Sequence, residues 1–164
     1  MRDRLHRMAL AVFGTLPRSL RGLAVRLIAP KFTAGTVVGI DDGGGRVLLV
    51  SHPYTTGWGM PGGLLKGSEE PAEAIAREVR EELGLELSVD GHALAIRTPW
   101  RRHYNFVFSA TLDYVDPAEL RGHSPEIDGV DWFALDALPE LSELTDELLV
   151  AIGLVPPEGR AITR

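Results

Sequence analysis

Residues 63–85 read Gly63-Leu64-Leu65-Lys66-Gly67-Ser68-Glu69-Glu70-Pro71-Ala72-Glu73-Ala74-Ile75-Ala76-Arg77-Glu78-Val79-Arg80-Glu81-Glu82-Leu83-Gly84-Leu85, and the rest of the chain is best understood from them outward. The second half predicts a helix. At roughly 100° per residue, Ile75, Val79 and Leu83 form an apolar stripe with Ala72 and Ala76 beside it. Glu78 and Glu82 fall at the edge of that stripe, near the buried boundary. Glu73, Arg77 and Glu81 follow at i,i+4 and read as an ordinary charge ladder. The i±4 neighbours of Glu78 and Glu82 are Ala74, each other and Glu86, so no basic side chain on this helix is expected to neutralise this pair. Like charges four apart cost a helix roughly 0.2–0.5 kcal/mol in water, and more when part-buried. Either this is a solvated acidic face, or a divalent cation sits against it.

Just upstream, Trp58-Gly59-Met60-Pro61-Gly62-Gly63 lets the backbone approach a ligand where a side chain would obstruct it. A phosphate would fit there; a plain strand-to-helix turn is the alternative.

Gly63, five residues, Glu69, seven residues, then Arg77-Glu78-Val79-Arg80-Glu81-Glu82-Leu83-Gly84-Leu85 resembles the complete box of the Nudix hydrolases. Nine constrained positions at fixed spacing make this far more specific than a lone glycine-rich loop. The box covers 23 of 164 residues, and the apparent strand order resembles the family from about residue 33 onward. The resemblance implies that Glu78, Glu81 and Glu82 hold Mg²⁺ or Mn²⁺ together with the main-chain carbonyl of Gly62, and that Arg77 orients a carboxylate. It further implies an acid from outside the box, for which Glu126 in Ser124-Pro125-Glu126-Ile127-Asp128 is the candidate, as extra ligand or general base, with Asp128 a weaker substitute. Where the family's box often continues Gly-Glu-Ser, this chain has Ser68-Glu69-Glu70. Pro71 suits the first helical turn, whereas Glu70 is a poorer cap than serine.

The resemblance implies metal-assisted hydrolysis of a nucleoside diphosphate linked to another group, with Glu78 or Glu126 taking the proton from attacking water. Selectivity would come from residues outside the box. Arg97, Arg101, Arg102 and His103 surround Trp100 in a patch suited to binding a phosphate and stacking a base, and Tyr104 follows it. Pro99 and Tyr104 lie near positions that mark particular substrate groups in the family, but both also read as strand-end and strand residues. Trp58 beside the glycine loop and Gly63 within it are further substrate-binding candidates, and His52 and Tyr54 could line the same cleft.

Two other function classes are open to a chain of this kind. A prenyl diphosphate isomerase would need a proton-transferring cysteine, and there is none. A noncatalytic nucleotide-sensing domain has no chemical need for the full acidic set.

Composition agrees with one compact enzyme domain, since 164 residues at 45% hydrophobic content can bury a core without staples. The absence of cysteine excludes disulfides and thiolate chemistry and fits a reducing cytoplasm. No apolar run is long enough to span a bilayer, and the first 30 residues lack the pattern of a cleaved leader. Net charge is −6 but unevenly placed: residues 1–31 hold seven Lys/Arg against Asp3 alone, and the remainder ten against 22 acids. An acidic body argues against general nucleic-acid binding, although local metal ions can still draw in a polyanionic substrate such as the small nucleotide that the resemblance implies.

Residues 1–32 read as a basic amphipathic helical extension: two short helices broken near Pro17, with Leu5, Met8, Ala9, Val12, Phe13 and Leu16 on one apolar face and Leu20, Leu23, Ala24, Leu27 and Ile28 on the other. Packing on the domain, a homodimer contact or peripheral membrane contact would each suit them. In residues 33–164, strands are expected at 36–40 and 46–50, joined through Asp41-Asp42-Gly43-Gly44-Gly45, then at 86–97, 104–114 and 130–135. A C-terminal helix is expected from the spacing of Leu138, Leu141, Leu144, Leu148 and Ile152. Pattern alone predicts an α+β domain; the resemblance sharpens this to an α/β/α sandwich with a mixed β-sheet.

Overall fold

The computed structural model describes residues 2–89, 92–120 and 124–157, apart from several side chains of the first helix. They form two units, residues 1–31 and 32–164.

The first unit is a helical pair, α1 (Arg2–Thr15) and α2 (Arg18–Ile28), interrupted at Pro17. Arg21 fixes the break: its Nε donates to the Leu16 carbonyl at 2.7 Å and its Nη2 to that of Gly14 at 3.0 Å, satisfying carbonyls at the end of α1. Met8 is exposed, and the side chains of Leu5, Ala9 and Val12 lie outside what is described.

The second unit is built on a mixed seven-stranded sheet of β1 (Thr33–Asp41), β2 (Arg46–Ser51), β3 (Trp58–Gly59), β4 (Gly62–Leu64), β5 (Leu94–Thr98), β6 (His103–Thr111) and β7 (Gly129–Ala134). β1 runs parallel to β6 along its whole length, and every other pairing between these strands is antiparallel. The path is β3-β2-β1-β6-β5, with β4 also paired to β1 and β7 to β2. Helix α3 (Pro71–Leu83) covers one face and α4 (Thr145–Ala151) serves the other.

β2 shows why this is a sandwich. Its apolar run is buried on both faces: Leu48 and Val50 join Ile75, Val79, Leu83, Phe108 and Trp132, whereas Val47 and Leu49 join Met60, Val107, Leu148 and Leu149. Gly39 permits the close approach of the α4 side, because a Cβ there would lie 2.3 Å from Ile152 Cδ1.

Two expected elements are shorter in the structure. Of the strand expected over 86–97, only Leu94–Thr98 pairs. Leu85, Leu87 and Val89 instead pack against the α3-side core as an unpaired connection, and Asp90 and Gly91 lie outside the described residues. The C-terminal helix begins only at Thr145. Pro139 interrupts the expected period, Leu144 takes a left-handed φ of 71°, and residues 140–142 bond back to β3 through Trp58 N–H to Glu140 O and Ser142 N–H to Trp58 O. Leu138, Leu141 and Leu144 still pack on the α4-side core, so their spacing reported burial rather than helix. Among the described residues, no helix is long and apolar enough to cross a membrane.

Candidate active site

Helix α3 starts with Pro71 in its first turn and ends at Gly84, whose φ of 70° closes the last turn through its N–H to the Arg80 carbonyl. Glu70 is a better start than expected, because Glu73 Oε2 accepts its N–H at 3.2 Å in the manner of a capping box. Thus Glu73 is drawn to the helix start rather than serving the Arg77 ladder.

The buried stripe of α3 consists of Ala74, Ile75, Val79 and Leu83, and Glu82 lies among them at 5% exposure. Its Oε2 accepts the Gly62 N–H at 3.0 Å. Burial first, and the neighbouring Glu78, Glu126 and Glu81 charges after it, outweigh that hydrogen bond and push the Glu82 carboxyl up to about 8.

Arg77 gathers the other box carboxylates. Its Nε and Nη2 donate to the two Glu69 oxygens at 2.8 and 3.0 Å, and its Nη1 donates to Glu78 at 2.7 Å and Glu81 at 3.3 Å. The two-pronged guanidinium bond, with the Lys66 N–H, holds Glu69 down at about 2. The i±4 argument missed one contact: Glu78 does have a basic partner, adjacent Arg77, because a long guanidinium can reach a neighbour that Cβ geometry places on another face. Glu82 is the carboxylate without one.

The glycines of β4 make room for this arrangement. Gly62 has φ of 151°, and a Cβ there would sit 2.1 Å from the Thr36 carbonyl oxygen; at Gly63 it would meet the Glu78 carboxylate at 2.6 Å.

Glu78, Glu81, Glu82 and Glu126 all line one cleft of about 350 Å³ with Gly62, Gly63, Lys66, Tyr54 and Ser124. Among the described residues, no three carboxylate or imidazole groups already converge on a single point. Glu126 comes from the 124–128 loop, which is held by Asp128 N–H to Ser51 O at 2.8 Å and by His52 Nδ1–H to Glu126 O at 2.8 Å. The Tyr54 phenol is pushed above its ordinary value, by burial and then by Glu126, Glu82 and Glu78.

A larger cavity of about 880 Å³ shares Leu64 with the acidic cleft. Trp100, Arg101, Arg102 and His103 form one side, and residues 140–144 another. Within it, His103 Nε2–H donates to Asn105 Oδ1 at 3.0 Å, leaving Nδ1 to accept from Thr33 Oγ1 at 2.7 Å, while Asn105 Nδ2 reaches Thr98 Oγ1 at 3.4 Å.

The NUDIX domain family model matches residues 31–151, which contain the whole acidic cleft. This chain belongs to the NUDIX domain family. It is 37% identical over 71 residues to an ADP-ribose pyrophosphatase of Mycobacterium tuberculosis, covering 41% of this chain and 34% of that protein. It is 28% identical over 113 residues to the NAD-capped RNA hydrolase NudC of Pseudomonas aeruginosa, covering 68% of this chain and 40% of that one. The matched region is therefore about a third to two fifths of these curated relatives' length. Among solved structures, a MutT NUDIX hydrolase from Burkholderia pseudomallei superposes with a TM-score of 0.59 at 27% identity, covering 73% of this chain and 97% of that one. The α/β/α fold expected from the box is the fold observed.

Within the Nudix domain, the residues singled out from sequence divide into three groups. Gly62, Gly63, Glu78, Glu81, Glu82 and Glu126 share the acidic cleft, and Arg77 organises two of them from behind it. Arg101, with Trp100, Arg102 and His103, lines the larger cavity. Arg97, Tyr104 and Trp58 line neither. Arg97 and Tyr104 pair across β5 and β6, on the face opposite Thr98, His103 and Asn105, and Tyr104 packs against Phe32 with ring centres 5.4 Å apart. Strand alternation thus splits the basic patch. Trp58 packs edge-on against Phe133 at 4.7 Å and anchors residues 140–142.

Sequence reasoning missed Lys66, Ser124, Thr98 and Asn105, none of which falls at a fixed box position. His52 was noted as a cleft residue, but its hold on the Glu126 loop depends on residues 74 positions apart. Replacing His52 by phenylalanine should lower turnover about tenfold, the scale of an outer hydrogen-bond partner, with little change in thermal stability. Unchanged steady-state kinetics would show that the loop needs no such anchor.

Proposed function

We propose that this Nudix domain hydrolyses a phosphoric anhydride bond in a nucleoside diphosphate linked to another group: a nucleoside triphosphate, ADP-ribose, a nucleotide sugar or a dinucleoside polyphosphate. The observation that carries this reading is buried Glu82, which resists ionisation yet lines one cleft with Glu78, Glu81 and Glu126. Such a carboxylate is comfortable as an anion only opposite a cation. The donor set fits a hard, oxygen-preferring divalent ion, and Glu78, Glu81 and Glu82 with the Gly62 carbonyl are the residues that would hold Mg²⁺ or Mn²⁺. When bound, the ion neutralises pyrophosphate charge and polarises the phosphorus centre.

The chain's own groups supply the rest. Gly62 and Gly63 leave the backbone bare beside the reacting phosphates, Lys66 adds a positive charge to the cleft wall, and Arg77 sets the angle of Glu78 and Glu81. Glu126 or Glu78 takes the proton from attacking water; Glu126 stands exposed on the His52-anchored loop, whereas Glu78 shares an oxygen with Arg77. The larger cavity suits the organic part of the substrate. Its Asn105–His103–Thr98 network offers hydrogen-bonding groups for a base or sugar, and Trp100 a stacking surface. The cysteine-free composition suits a cytoplasmic setting.

The reading is tested by following phosphate release, with a coupled phosphatase, across these four substrate classes with Mg²⁺ or Mn²⁺. One class cleaved much faster than the others, with activity lost in EDTA, is the expected result. Tight nucleotide binding with no turnover on any class would favour a sensing domain. With the preferred substrate, Asn105→Ala should raise KM roughly tenfold with a smaller effect on kcat; an unchanged KM would remove the organic group from that cavity.

A further inference from the structure

The catalytic reading leaves the helical unit of residues 1–31 without a role, yet it carries the largest group of exposed aliphatic side chains in the described structure. On α2 no residue is buried; Leu20 and Leu23 are about half exposed, and Leu27 and Ile28 are 76% and 82% exposed. At 100° per residue Leu20, Leu23, Ala24, Leu27 and Ile28 share one arc, with Arg18 and Arg26 on the other side. Arg18 and Arg26 are exposed, and among the described residues neither makes an ion pair. Arg21 is spent on the α1 carbonyls, so the helical pair is held in shape by its own bonds.

We propose that this unit docks on an anionic lipid surface, with the α2 aliphatic arc entering the headgroup–acyl boundary and the arginines contacting lipid phosphates. Charge separates this occupant from the others. Residues 1–31 carry seven Lys/Arg against Asp3, a net +6, so stacking the same face of a second copy would bring +6 against +6. A nucleic acid would take up the arginines but leave the aliphatic arc in water. An anionic bilayer satisfies both: each basic residue near such a surface adds to binding, and the arc buries apolar area. The remaining residues carry a net −12 and are repelled by the same surface, so attachment depends on this unit.

The test is co-sedimentation of the full chain with phosphatidylcholine vesicles, with and without phosphatidylglycerol at roughly a third of the lipid. Binding to the anionic vesicles alone, weakening as salt rises, is expected. Arg18→Gln with Arg26→Gln should reduce the partition coefficient roughly 30-fold. Leu23→Gln with Leu27→Gln should abolish sedimentation while circular dichroism shows the helical content retained. Hydrolysis of the preferred soluble substrate should be unaltered in both. Failure of the wild-type chain to sediment with anionic vesicles overturns the proposal, as does binding that survives the leucine substitutions. A concentration-dependent dimer that both pairs of substitutions dissolve would instead assign the face to a second copy. Preferential retention of a single-stranded oligonucleotide would assign it to nucleic acid.

Discussion

Replacing Glu82 by glutamine should remove turnover by at least about 10²-fold and, in EDTA, make the protein more stable at alkaline pH than the wild type. The two effects have one cause. Glu82 is buried beside Ile75, Val79 and Leu83, and its carboxyl is pushed from 4.5 in the unfolded chain to about 8 in the folded one. Between those values the folded state binds a proton that the unfolded state has released, so stability falls as pH rises through this window and levels off above it. In full, the loss is on the order of a few kcal/mol. Glutamine keeps the shape and the bond from Gly62 N–H but has no charge to bury. Thermal unfolding in EDTA from pH 5 to 9 should therefore slope downward for the wild type and be nearly flat for Glu82→Gln. Mg²⁺ or Mn²⁺ should raise the wild-type midpoint most at the alkaline end, where proton competition is weakest. Parallel pH profiles for the two proteins would show that Glu82 ionises normally. A variant with wild-type turnover would end its assignment as a cation ligand.

The adjacent glycines should fail in opposite ways. Gly62→Ala places a methyl group 2.1 Å from the Thr36 carbonyl oxygen and 2.7 Å from Val37 Cα, in a backbone conformation with φ of 151°. The obstacle is backbone within the β1–β4 pairing, so it cannot step aside, and roughly 3–5 kcal/mol of stability should be lost. Gly63→Ala meets only the end of the Glu78 side chain, at 2.6 Å, and its backbone is not in the left-handed region. A carboxylate can swing away, so the fold should lose about 1 kcal/mol or less while a displaced Glu78 lowers kcat about 10²-fold. Denaturant unfolding and steady-state kinetics on both variants separate the cases. Equal stability losses would mean that Glu78 is locked in place, and full activity in Gly63→Ala would mean that its position is immaterial.

Much of the acidic cleft was legible from the chain because it is built mainly locally. Glu78, Glu81 and Glu82 are placed by one helix whose period is visible in Ile75, Val79 and Leu83, and Gly62 and Gly63 lie close before it. Local reasoning failed where a side chain outreaches its backbone position. Arg77 bonds Glu78 next to it and Glu69 eight residues back, neither of which an i,i+4 rule anticipates. It failed again where apolar spacing has two explanations. Leu138, Leu141 and Leu144 are spaced as in a helix, yet Pro139 and the bonds to Trp58 keep them in an irregular segment that still reaches the core.

By itself, the sequence determined the family, the strand at 46–50, the acidic helix and the polarity of charge between the first 31 residues and the rest. Those properties depend on spacing and composition, which a linear chain displays directly. Only the tertiary structure decided that Arg101 borders the larger cavity while Arg97 lines neither it nor the acidic cleft, that His52 holds the Glu126 loop, and that Asn105 and Thr98 share a polar network. Each of these depends on strand register or loop closure between residues distant in the chain. A shift of one residue in the β5–β6 pairing would exchange the faces of Arg97 and Thr98 on the five-residue β5.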